Sequence, residues 1–97
     1  MVTRDEIKDP ARLRVRAILN GRTMQDADTS YMIFDVASVI SDLSRSMTLL
    51  PGTVIMTGTP DGVGFTRKPP VFLREGDVIS IIIDGIGELT NPVVREI

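Results

Sequence analysis

The run Val54-Ile-Met-Thr-Gly-Thr-Pro-Asp-Gly-Val-Gly64 constrains this chain more than any other stretch. A β-prone segment ends there in a turn that holds Gly58, Gly62 and Gly64 beside Pro60, Thr57 and Thr59. One Asn-Gly or Pro-Gly pair is enough to end a strand. Glycines in this number let the backbone take conformations closed to other residues and lie close against another group. Thr57, Thr59 and Asp61 add hydroxyls and a carboxylate. Two readings stand: a plain glycine-rich surface loop, or a binding loop at a strand end, where rigid scaffolds present functional groups.

The chain has 97 residues, enough for one small domain. A domain of that size buries roughly 60–70% of its unfolded surface. A net charge of −2 gives no electrostatic reason to expect nucleic acid or an anionic membrane as partner. Four aromatics (Tyr31, Phe34, Phe65 and Phe72) offer no stacking platform for bases. The first residues lack the basic-then-apolar pattern of a secretory signal, and no apolar run approaches the ~18 residues of a membrane span. The absence of cysteine removes disulfides and thiolate chemistry and agrees with a cytoplasmic protein.

The absence of histidine cuts deeper. With neither His nor Cys, the commonest general base and the strongest nucleophile are both missing. Chemistry would fall to carboxylates, Lys8 or Lys68, Tyr31, hydroxyls, or an ion held by oxygens. The acids are scattered, and neither a calcium-loop nor a zinc-helix motif occurs. Asp26-Ala-Asp28 is the nearest approach to a carboxylate pair, and its place after a hairpin signal reads as a solvated turn. No residue of the chain stands out as catalytic or metal-ligating.

The periodicity is mostly that of strands. Leu13, Val15, Ala17 and Leu19 alternate with Arg12, Arg14 and Arg16, which marks a half-buried strand with a solvated arginine face. Asn20-Gly21 is a hairpin signal, so Arg22 to Gln25 should return antiparallel. Thr29 to Phe34 reads as a short buried strand or a tight lead into a helix. Asp35 can cap that helix over Val36 to Ser46, with Val36, Val39, Ile40, Leu43 and Met47 as its apolar stripe. Thr53 to Met56 reads as a strand, Thr66 to Pro70 as extended chain, and Val71 to Leu73 as another short strand. Val78 to Ile83 is almost wholly β-branched and reads as a strand covered on both faces. Asp84-Gly85 opens a second hairpin, returning through Leu89 to Val94.

Several blocks, in this order, resemble the C-terminal half of the fumarylacetoacetate hydrolase family. They run from Val15–Gly21 with Gln25, through Thr29-Ser30, Met32–Phe34, Met47–Leu49 and Pro51-Gly52, to Ile55–Pro60 with Gly62–Gly64. Arg67–Pro70, Gly76–Val78, Gly85–Gly87 and Asn91-Pro92 complete the set. The resemblance implies a β-rich α+β fold, a mixed sandwich or roll with one main helix, over residues 1–97. It also implies a usually homodimeric enzyme acting on small 2-oxo or diketo acids by C–C bond hydrolysis, decarboxylation, hydration or isomerisation. Its Mg²⁺, Mn²⁺ or Ca²⁺ would sit on carboxylates, as hard ions prefer.

The same resemblance places the family's Glu-x-Glu pair, further Asp, lysine and His–Glu elements upstream of the region matching Val2. This chain has no Glu-x-Glu and no histidine. It therefore reads as a C-terminal fragment, a mis-started frame or one piece of a split protein, homo-oligomeric or paired with a missing N-terminal half and inactive alone. Thr59 matches a substrate-binding position, where its hydroxyl and the N–H groups of Gly58 and Thr59 would hold a substrate oxygen. Alternation along the strand end would then turn Thr57 toward the core or a neighbouring strand. The alternative is a free-standing, non-catalytic module that keeps the glycine-rich loop to bind a partner or small anion.

Overall fold

Strand β1 (Arg14–Leu19) and strand β2 (Arg22–Asp28) form a hairpin about Asn20-Gly21. Both turn residues have positive φ, +49° and +79°, which gives a two-residue turn the twist of its flanking strands. The computed structural model describes residues 2–96; Met1 and Ile97, the ends of the 1–97 unit, lie outside the described residues. Strand β3 (Val78–Ile83) pairs antiparallel with β1, and β4 (Gly87–Pro92) pairs antiparallel with β3. The sheet order is β2-β1-β3-β4, which leaves β2 and β4 as edges. The β-rich α+β architecture follows from these four strands and one helix.

Cross-strand partners share a face. Val15, Ala17 and Leu19 lie opposite Ile83, Ile81 and Ile79, which gives one aliphatic face. Arg14 and Arg16 occupy the other, where Arg14 pairs with Asp26 at 2.6 Å and Arg16 with Asp84 at 2.7 Å. The arginine face is thus a neutralised, water-accessible surface, as the alternation suggests. Between Ala17 and Ile18 the register jumps from Gln25 to Thr23, and Met24 is left without a cross-strand partner, a β-bulge.

Helix α1 spans Val36–Ser46 and is capped by Asp35, whose carboxylate accepts the Ser38 N–H at 2.7 Å. None of its residues is buried, and Ile40 and Met47 on its apolar stripe are exposed. Thr29–Tyr31 forms a 3-10 turn leading toward the helix, so the lead-in reading holds and the buried strand does not.

The structure corrects four expectations. Thr53 to Met56 and Val71 to Leu73 are not strands, because neither pairs with a strand among the described residues. Asp26 and Asp28 lie within β2 rather than in a turn: the hairpin returns further than its first residues suggest. Gly64–Thr66 makes a 3-10 turn, so extended chain begins only at Arg67. Strand β3 is half-buried rather than covered, with Val78 and Ile81 exposed. Among the described residues the core reduces to Ala17, 8% exposed.

Candidate functional site

The glycine-rich run crosses one end of the aliphatic face and is tied to β2 by two side chains. Gly58 and Gly62 have φ of +94° and +95°, the left-handed region that favours glycine. A Cβ on Gly62 would overlap the Met24 carbonyl, and one on Gly64 would overlap the carbonyl of Val71. Gly64 is therefore required by close approach rather than by its own dihedral. Its carbonyl accepts the N–H of Arg67 at 3.2 Å and of Val71 at 2.9 Å, which folds residues 64–71 back on themselves.

Arg67 is the first tie. Its Nε donates to the Gly62 carbonyl at 3.1 Å, and its Nη2 donates to the Met24 carbonyl, the one at the bulge. Gln25 is the second: its Nε2 donates to Thr59 Oγ1 at 2.8 Å and to the Pro60 carbonyl at 2.7 Å. Sequence reasoning gave neither residue a role, although both stand in the blocks that carry the resemblance. Gln25 lies 34 positions from Thr59, and no local pattern signals a contact across that separation.

Between loop and sheet lies a hollow of about 410 Å³. Ala17, Leu19 and Ile79 contribute from the sheet, Phe65 and Phe72 from the returning chain, and Thr59 and Gln25 supply polar groups. An apolar pocket with a few placed polar groups is the usual form of a small-molecule site. A wider hollow of about 600 Å³ follows the end of α1, but it is lined only by Ile40 and residues 44–49, and Arg45 is its single ionisable group.

Among the predicted site residues, Thr59 lines the first hollow and Gly58 directly precedes it in the chain. Neither Gly58 nor Thr59 donates its backbone N–H to another group among the described residues. Both are free to bind a ligand oxygen. Thr57 does not turn into a core: both threonines are exposed.

The acids are engaged elsewhere. Arg14 grips Asp26 through two hydrogen bonds and holds its carboxyl below the usual range. Hydrogen bonding by Ser30, side chain and N–H, does the same for Asp28. No three His, Cys, Asp or Glu residues come together among the described residues. Hard divalent ions take six or more oxygens, carboxylates among them. Asp61 is the loop's single carboxylate, and Gln25 turns its N–H groups, not an oxygen, toward Thr59 and Pro60. These residues do not fit a divalent cation, so no step is routed through one.

These features set a glycine-turned loop over one end of an antiparallel sheet. The chain belongs to the fumarylacetoacetate hydrolase family: the model of the fumarylacetoacetate (FAA) hydrolase C-terminal region matches residues 1–94. It is 48% identical over 94 residues to a mitochondrial oxaloacetate tautomerase of Xenopus laevis, covering 97% of this chain and 30% of that protein. A fumarylacetoacetate hydrolase from Exiguobacterium antarcticum superposes with a TM-score of 0.92 at 47% identity, over 98% of this chain and 34% of that one. A maleylpyruvate hydrolase from Sphingobium sp. SYK-6, in complex with manganese (II) ion and pyruvate, superposes at 0.86 and 39% identity, over 100% and 34%. The chain thus spans about a third of the length of the relatives it matches.

Proposed function

We propose that this chain supplies the carboxylate-holding loop of an enzyme of its family that acts on a small 2-oxo or diketo acid. The observation that carries the reading is the free N–H groups of Gly58 and Thr59 beside the Thr59 hydroxyl, at a hollow lined mostly by aliphatic and aromatic side chains. Such donors suit an anionic oxygen. The apolar wall suits a short carbon skeleton. The pyruvate complex of the Sphingobium relative supports the substrate class.

The loop orients; it does not transfer protons. No His or Cys is present, and no three carboxylates come together among the described residues. In this reading C–C bond hydrolysis, decarboxylation, hydration or isomerisation needs groups outside these residues, as does any Mg²⁺, Mn²⁺ or Ca²⁺. The same shortage of acids keeps a second reading in view, a non-catalytic module that binds a small anion. Cytoplasmic residence belongs to the proposal and rests on the lack of cysteine. The mitochondrial relatives make the mitochondrion its rival, which fractionation decides.

The test is a chimera in which residues 1–94 replace the matching segment of the Sphingobium hydrolase. Thr59→Val should lower kcat/KM roughly 10- to 150-fold, the effect of losing a hydrogen bond to a charged group of about 1.5–3 kcal/mol. Thr57→Val should change it far less. An unchanged Thr59→Val beside an inactive Thr57→Val would reverse the assignment.

A further inference from the structure

We infer that Gln25 is a positioning residue that holds the Thr59 hydroxyl with its proton turned away from Gln25, so that this proton is free to be donated to an acceptor oxygen at this point of the loop. The inference rests on the reading of Thr59 as the substrate-binding residue. The chain of reasoning starts at Pro60. Its carbonyl oxygen can only accept, and the Gln25 amide end facing it stands 2.7 Å away. That end must be the NH₂ group, because the opposite orientation would set two acceptor oxygens against each other.

The amide nitrogen in turn can only donate, so in its second contact, at 2.8 Å, Thr59 Oγ1 is the acceptor. A hydroxyl has one proton and two acceptor sites. With one site taken by Gln25, the proton must point away from Gln25, and Thr59 donates to no group among the described residues. The two N–H groups of Gln25 thereby hold Thr59 and Pro60 as one unit. Pro60 further restricts the Thr59 backbone toward extended conformations.

Gln25 is itself held in register. It sits opposite Ala17 at the edge of the Met24 bulge, and both residues line the hollow beside Thr59. A carboxylate or a 2-oxo oxygen satisfies the aimed proton.

The experiment uses the full 97-residue chain. Three-bond couplings report the Thr59 side-chain rotamer, and an NMR titration with sodium pyruvate reports binding. In Gln25→Ala the couplings should average over rotamers and pyruvate should bind roughly 5- to 10-fold more weakly, the loss of one hydrogen bond's worth of order. Gln25→Glu keeps the length but is acceptor-only when ionised, so it should bind worse than Gln25→Ala at neutral pH. It should recover as pH falls through about 4.3, where the acid regains a proton to donate.

Unchanged couplings and unchanged pyruvate affinity in Gln25→Ala would overturn the inference. If Gln25→Ala does not fold, the pH response of Gln25→Glu decides it, and a flat response overturns it. Should wild type fail to bind pyruvate while Gln25→Ala still frees the rotamer, the positioning role stands and the substrate reading falls.

Discussion

The main chain of Gly62 lies so close to the carbonyl of Met24 that no side chain can be placed between them. The contact joins the loop to the sheet at the bulge. At φ +95° an alanine at this position is also conformationally strained.

Gly62→Ala should therefore cost more stability than Gly58→Ala. Both substitutions carry the penalty of a left-handed conformation, about 1 kcal/mol. A Cβ on Gly58 meets nothing within 4 Å, whereas one on Gly62 drives the loop off β2. We expect a difference of about 1–3 kcal/mol, the usual range for overpacking, read by urea denaturation of the two variants. Equal losses would show that the loop is not seated on Met24.

Arg67→Lys should behave almost like Arg67→Ala. The guanidinium reaches two carbonyls, of Gly62 and Met24, from a planar fork, and an ammonium cannot satisfy both in that geometry. The checking measurement is amide hydrogen exchange over residues 58–67, which should accelerate several-fold in both variants. Wild-type protection in Arg67→Lys would mean that charge alone holds the loop.

Acid should loosen the junction between the first hairpin and β3. Asn20 donates to Asp77 at 2.8 Å, and the Arg74 N–H donates to its other oxygen at 2.8 Å. These bonds, the Asn20 contact first, hold the Asp77 carboxyl below its ordinary value. A depressed folded pKa contributes stability that is complete above the unfolded value of about 3.9. It is lost as pH falls through the lower folded value. Melting temperature should thus drop below pH 4, and Asp77→Ala should melt lower at neutral pH with a weaker dependence on acid. A variant that keeps the wild-type slope would place the acid response elsewhere.

Val54 and Met56, 86% and 94% exposed, lie in an extended segment that pairs with nothing. Apolar, unpaired, β-prone backbone templates association. Sedimentation should therefore show dimers or larger species that shrink in the Val54→Lys, Met56→Lys double variant. A monomer over a wide concentration range would argue against this.

Elements whose signal is local were legible in the sequence. Asn20-Gly21 gave the first turn, Asp35 the helix start, and the β-branched run Val78–Ile83 its strand, because dihedral preference and capping act over a few residues. Thr53–Met56 and Val71–Leu73 were misread because a strand also needs a partner, which propensity does not supply. Thr59, the substrate contact proposed above, was singled out only through the family pattern. Gln25 and Arg67 were not, since their roles come from contacts 34 and 43 positions away.

The bulge at Met24 also bears on how this strand tolerates changes of length. Removing that one residue would let Ala17–Gln25 and Ile18–Thr23 run on as an uninterrupted ladder, each side chain still on its present face. The strand would be more regular, and Arg67 would lose the stray carbonyl it reaches for. Position 24 should accept many side chains, because what matters there is a spare peptide unit: a deletion that improves the sheet would unfasten the loop.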